Sequence, residues 1–488
     1  MSTSKKGVLS VGVMKLTGST AFVPSVVFGV PTTMNLASNG YKPVPKGQYA
    51  ELIESGLKSS LLALQPRATF DDEGIEETVK LIHDSMTTPG RVYHAMQHIF
   101  DISKDMVDPV LILSALFHDV VYYSIDLTFS KQQEKALEGV LVSDMQQLTL
   151  ATTFDDPLVE KVVDLYGFAR GEPLPKLGTN EFLSAMIGVR VLSKWLSVPQ
   201  VMQVAACIEA TIPFRPTENG KSPMDRLFDR LSVVCPDQSE EWLVDTVQKA
   251  AATANFDLGS FDSKDRDYFL DSSWKLLPEA RPVLLKEDCP LIEFLNELHA
   301  LEGRSKFLKA AVPRIFQSFR QMPTDAEMEE KQRQTNENLD IMCQYAEVRL
   351  LQVMVLVEFA EVMGEDPQAL PLRTCLCMPV TPAAEGPSDG LTSMEREIRS
   401  WLANGRRASF DWDPAVSPLA AFLFDTLGPE GVRQAVQIGK TQKPGSHELL
   451  KYLPTSVVWT VASRLGTVLP DRAERCLKVP EKLGILAQ

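Results

Sequence analysis

Asp108-Pro-Val-Leu-Ile-Leu-Ser-Ala-Leu-Phe-His-Asp119 is the stretch whose reading decides this chain. Asp108 followed by Pro109 is a helix-opening pair. The acid caps the first free N–H groups, and proline suits the first helical position because its φ is fixed and it has no N–H to satisfy. The run that follows, Val110 to Phe117, is apolar on nearly every side, which predicts a central helix buried all round. By periodicity alone so short a run could be a strand; the Asp-Pro start favours the helix. His118 and Asp119 end it. An ionised carboxylate at the end of a buried element is costly unless it is paired or bound to a cation.

Immediately upstream stands Arg91-Val-Tyr-His94-Ala-Met-Gln-His98. The chain has only six histidines, at positions 83, 94, 98, 118, 299 and 447, and three of them fall in this one region. His94 and His98 are four apart and on a helix share a face. A clustered scarce ligand beside a carboxylate points to a divalent cation of borderline or hard character. Other signals lead nowhere. His83-Asp84 reads as a solvated helix face. His94 to His98 has zincin spacing without the glutamate that would act as base. Cys375-x-Cys377 has no second pair or histidine to complete a zinc site. Gly439-Lys440-Thr441 imitates a P-loop ending, but Gln434 stands where a glycine is required.

Taken together, Arg91-x-Tyr-His94-x-x-x-His98 and Phe117-His118-Asp119-Val-Val-Tyr resemble the HD superfamily of metal-dependent phosphohydrolases, specifically a branch of predicted bacterial HD phosphohydrolases. The resemblance is concentrated in residues 88–124. It implies an all-α HD-domain helical bundle and one divalent metal ion (Mn, Co, Mg, Zn or Fe). His118 and Asp119 would be ligands and catalytic residues, with one or both of His94 and His98 binding metal or phosphate. Asp257, in Asn255-Phe-Asp257-Leu-Gly-Ser, matches the segment that supplies the family's last metal-binding aspartate, across a longer gap than usual. Glu134 matches a glutamate of the branch. Ile208-x-x-Thr211 matches a later element whose usual histidine is replaced by the Pro213-Phe214 region. Arg91 and Arg215 are candidates for the substrate's remaining negative charge. With so few histidines a single-metal site is expected rather than a di-iron one. In such a site the ion lowers the pKa of a water toward about 7 and neutralises charge on a phosphoryl oxygen.

The expected activity is therefore hydrolysis of a small phosphomonoester or nucleotide. The alternatives are a non-catalytic HD scaffold that binds a nucleotide or partner protein, and HD-type oxygenase or lyase chemistry. Composition sets further bounds. The 488 residues carry 49 basic and 64 acidic side chains, a formal net charge of −15, which disfavours generic nucleic-acid binding. Seven scattered cysteines argue against a disulfide framework and fit a reducing, cytoplasmic setting. No uninterrupted apolar run is long enough to span a membrane.

Along the chain, residues 1–50 hold lysines and no acidic residue, with Ser, Thr, Gly and Pro throughout, and read as a flexible extension or, more weakly, a targeting segment. Residues 51–285 are expected to form the HD-type domain, 286–375 a helical extension, 376–391 a Pro/Gly/Ala linker, and 392–488 a small helical C-terminal domain. Amphipathic helices are expected at 130–148, 157–169, 180–196, 198–210, 240–254 and 291–320. Thr392-x-x-Glu395 resembles a capping box, and Ser417-Pro418 should open a helix that Gly428 ends.

Overall fold

The computed structural model describes residues 43–144, 147–380 and 390–485. Most of the expected extension (1–42) and of the linker (381–389) lies outside the described residues. The chain is predominantly helical. The first helix, α1 (Tyr49–Leu64), buries Ile53, Leu57 and Leu61 along one stripe. In α2 (Asp72–Met86) the Asp71 side chain accepts from the Gly74 N–H, satisfying a donor the helix itself cannot. A loop through residues 87–95 leads to the short α3 (Met96–Ser103).

Asp108 and Pro109 then open α4 (Pro109–Phe117). The Asp108 carboxylate accepts from Val110 and Leu111, and every residue from Val110 to Phe117 is buried. The helix is central because it has no polar face. It is packed by α1, α3, and the later α8 (Thr179–Leu192), α9 (Val198–Ala210) and α11 (Glu240–Asp257), which follow the short α5 (Tyr123–Asp126) and α6 (Lys131–Ala136), α7 (Pro157–Tyr166), and α10 (Pro223–Val234).

The helix expected over 130–148 is shorter than its periodicity suggests. It stops at Ala136, and an antiparallel hairpin, β1 (Leu141–Asp144) and β2 (Gln147–Leu150), follows. Gly139 adopts φ 72°, a left-handed turn that ends the helix. The Val140-Leu-Val142 run beyond it suits extended backbone.

A second hydrophobic core begins at Phe261 and extends to Val479. It is built on α12 (Arg266–Ala280), α13 (Leu291–Ala311) and the 39-residue α14 (Asp325–Met363). Thr324 and Glu327 form a reciprocal capping box at the start of α14, and Gly364 at φ 80° ends it. The division expected at 376–391 does not separate two cores. Met378 and Val380 are buried, and α16 (Ser393–Asn404) and α17 (Pro418–Thr441), which follow the short α15 (Leu372–Leu376), pack on α14. The reason is a buried polar knot. Asp413 receives Arg349 of α14 at 2.6 Å, Arg406 at 2.8 Å and the Trp274 indole of α12 at 2.7 Å. Arg349 and Asp413 are both fully buried, so neither could be left without the other. In α17, Gly428 breaks the helical backbone as expected, but the helix resumes at Pro429 rather than ending.

The two cores meet at the end of α11. The Asn255 side-chain amide both donates to the Gln317 carbonyl, at 2.8 Å, and accepts from its N–H, at 2.7 Å. No helix among the described residues is long and apolar enough to cross a membrane.

Candidate metal centre

His118 follows the last turn of α4, and its ring is oriented by its own helix. Nδ1 lies 2.9 Å from the Ala115 carbonyl. With Nδ1–H donated there, Nε2 presents its lone pair, the arrangement found where imidazole binds metal. His98, on α3, brings its Nε2 to 3.3 Å from that of His118. Asp119 Oδ2 lies 3.0 Å from His118 Nε2 and 3.8 Å from His98 Nε2. Asp257, the last residue of α11, completes the cluster, its Oδ1 at 3.0 Å from His98 Nε2 and 3.5 Å from His118 Nε2.

These separations suit a shared cation. Ligands at about 2.0–2.2 Å from one ion stand roughly 3–3.6 Å apart in tetrahedral or octahedral arrangement. A second observation agrees with the first. Asp119 Oδ2 is buried and has no hydrogen-bond partner despite its nearness to His118. A buried carboxylate oxygen without a donor is costly, and a cation removes that cost. His98, His118 and Asp119 thus form a buried group able to hold a metal ion, and among the described residues no other such group of three occurs. Asp257 stands in contact with both histidines.

The electrostatics are those of a buried cluster of closely spaced ionisable groups. Burial acts against ionisation of each group, but the partners outweigh it. Asp119, next to His118, is held well below the usual carboxylate range, and Asp257, bonded to His118 and His98, is lowered to about 2. His118 is raised well above its ordinary value by Asp119 and Asp257 against the opposing effect of burial.

His94 answers differently. Its ring centroid is 5.8 Å from that of His98, and it lines the same cavity, but its Nδ1 is held at 2.8 Å by Glu279. Glu279, from α12 of the second core, also accepts the N–H groups of Val92, Tyr93 and His94 on its other oxygen, at 2.7, 2.7 and 2.9 Å. Burial opposes charge on His94, yet the Glu279 bond and the neighbouring carboxylates raise its pKa. His98 is therefore the histidine that converges with His118, and His94 flanks the pair with its ring held by Glu279.

Three expected substrate residues lie elsewhere. Arg91 is fully buried at its side chain. It pairs with Asp126, donates to the Asp119 carbonyl at 2.6 Å and contacts the Met86 sulfur at 3.2 Å. It braces the main chain at Asp119 instead of facing the cavity. Arg215 is paired with Glu209, which also receives Arg230. It is committed to that bridge and does not line the cavity. Glu134 is exposed on α6 and does not line the cavity.

The cluster forms part of the lining of a cavity of about 610 Å³ between the two cores, within the usual range of small-molecule sites. Sequence reading missed Glu279 and Glu181, which also lines it. Burial pushes Glu181 up to about 7, with Asp119 and Asp257 adding to the effect. Neither glutamate carries a spacing signal, since each reaches the site from a separate helix. Thr211, Pro213 and Phe214 do line the cavity, at the place where the resemblance leads one to expect a histidine. Comparison of the chain with protein-family models, curated proteins and solved structures finds no match.

Proposed function

We propose that this chain is a divalent-metal-dependent phosphohydrolase acting on a small phosphomonoester. The observation that carries this reading is the convergence of two imidazole nitrogens and two carboxylates, one with a buried oxygen that accepts no hydrogen bond, beside a cavity of small-molecule size that His118, Asp119 and Asp257 line. His98, His118, Asp119 and Asp257 would hold the ion, a mixed nitrogen–oxygen set suited to Mn, Co, Fe or Zn. Bound there, the ion would lower the pKa of a water and neutralise phosphoryl charge.

The remaining work falls to the chain's own residues. His94, whose hold on a proton is strengthened by Glu279, is the side chain placed to offer a hydrogen bond toward a phosphoryl oxygen. The Asp119 carboxylate, too acidic to keep a proton, orients the attacking water, whose proton is lost to solvent. The new bond joins water oxygen to phosphorus while the ester P–O bond breaks. The leaving alcohol takes a proton from Glu181, which burial holds near neutrality as an acid. Because Arg91 and Arg215 are turned away, a substrate with several phosphates would lack counter-charge, and a nucleotide substrate would be limited to a monophosphate.

A second reading, oxygenase or lyase chemistry on iron, draws on the subset His98, His118 and Asp119, the two-histidine, one-carboxylate set of non-haem iron enzymes. Asp257, at 3.0 Å from His98, adds a fourth donor that such sites do not need. The test is elemental analysis of purified protein, followed by a phosphomonoester screen with Mn. Wild type should hold about one ion per chain and release phosphate, and His118→Ala and Asp119→Ala should lose both. Metal-bound wild type that releases no phosphate but consumes oxygen would overturn the hydrolase in favour of the second reading. Wild type without metal would leave a scaffold.

A further inference from the structure

The cavity lining holds two unlike sets of side chains. One is His94, His118, Asp119 and Asp257, at and beside the candidate metal centre. The other is a hydrocarbon wall of Phe214, Leu258, Phe261, Leu276, Leu308 and Met342, five of which belong to the second core or pack against it. Phe307 extends this wall to the surface. It is 50% exposed and meets Phe214 edge-on at 5.4 Å. Phe214 itself sits at φ 57°, a conformation a bulky residue rarely adopts, and strain of this kind persists where the surrounding structure holds it for a purpose. The charges complete the contrast. Arg304 is the one guanidinium in the lining, already shared with Glu297, and no lysine lines the cavity. Four acidic side chains do: Asp119, Glu181, Asp257 and Glu279.

We infer that the cavity takes the phosphomonoester of an apolar alcohol, with its single phosphate at the metal centre and an uncharged hydrocarbon body along the Phe214–Met342 wall. This rests on the phosphohydrolase reading for its head group and on the wall for its body. On the Phe214–Met342 wall a nucleoside or sugar would lay hydroxyls and ring nitrogens against side chains that offer them no hydrogen bonds, and of the polar side chains elsewhere in the lining Thr211 already donates to the Ile208 carbonyl and Asn180 already accepts from the Tyr123 N–H. A polyphosphate would set several negative charges beside the carboxylates of Asp119, Asp257 and Glu279.

The probe is a series of n-alkyl phosphonates from ethyl to decyl, which cannot be hydrolysed, titrated calorimetrically into the Mn-loaded full chain. Dissociation constants should fall about fourfold for each methylene that reaches the wall, and decyl phosphonate should bind more tightly than adenosine monophosphate. Phe307→Ser and Leu276→Asn, at partly exposed positions, should flatten the gradient while metal content stays at the wild-type level. A flat series, or tighter binding of the nucleotide, overturns the inference. So does a gradient that both variants leave intact. Phosphate release is read separately. A steep gradient without any phosphatase activity would sink the hydrolase reading and leave the apolar ligand class standing, and activity with a flat series would do the reverse.

Discussion

Replacing Glu279 by alanine should loosen the 92–94 segment by about 3 kcal/mol. The Glu279 side chain is 4% exposed, and one of its oxygens accepts three main-chain N–H groups at 2.7, 2.7 and 2.9 Å. Hydrogen bonds to an ionised acceptor contribute roughly 1.5 kcal/mol each at the low end, so the three sum to about 4–5 kcal/mol. Val92, Tyr93 and His94 are only half-buried, and water recovers part of the loss, which brings the expectation to about 3 kcal/mol. Because about 1.4 kcal/mol is a factor of ten, amide protection at residues 92–94 should fall about 10²-fold in hydrogen exchange. Protection elsewhere in the first core should hold. The conservative variant separates the two jobs of this side chain. Glu279→Gln keeps an oxygen for the N–H groups but removes the charge beside His94. The His94 pKa, raised in the wild type, should then fall, because burial is no longer outweighed by that partner. Histidine ring NMR follows this directly. Unchanged protection at 92–94 in the alanine variant, or an unmoved His94 titration in the glutamine variant, would refute the idea that the second core positions the metal centre through Glu279.

Other consequences lie in the second core. Arg349→Met leaves Asp413 with Arg406 and Trp274 but strips its 2.6 Å partner, and should cost about 3 kcal/mol in denaturant unfolding of this core; a loss under about 1 kcal/mol would show that Arg406 alone holds the knot. Glu358 on α14 has a buried Oε2 that accepts no hydrogen bond and lies 4.0 Å from His447 Nδ1, and burial raises its pKa from the ordinary 4.5 to about 7. A raised folded pKa means stability that is full below the unfolded value and is lost as pH rises through the folded one. Glu358→Gln should therefore gain on wild type between about pH 5 and about pH 8, by of order 2 kcal/mol, and a stability difference independent of pH would remove the burial explanation.

The sequence by itself determined the helical class and the central helix. Asp108, Pro109 and the apolar run to Phe117 are local signals: a cap, a fixed φ and a helix with no polar face can each be read from adjacent residues. The same holds for His118 and Asp119 as candidate ligands, with His94 or His98 upstream left as a choice, because scarce histidines next to a buried run have few other reasons to be there. Even the hairpin at 141–150 had its local sign in Gly139, hidden by helical periodicity on either side. Only the tertiary structure decided the rest. It selected His98 over His94 for the converging pair, since Glu279 arrives from α12 to hold the other ring. It turned Arg91 and Arg215 inward to Asp126 and Glu209. It also joined residues 392–485 to the α14 core through Asp413. The physical reason is range. A guanidinium or imidazole can pair with any carboxylate that packing brings within about 3 Å, and partners separated by many helices leave no spacing in the chain to reveal them.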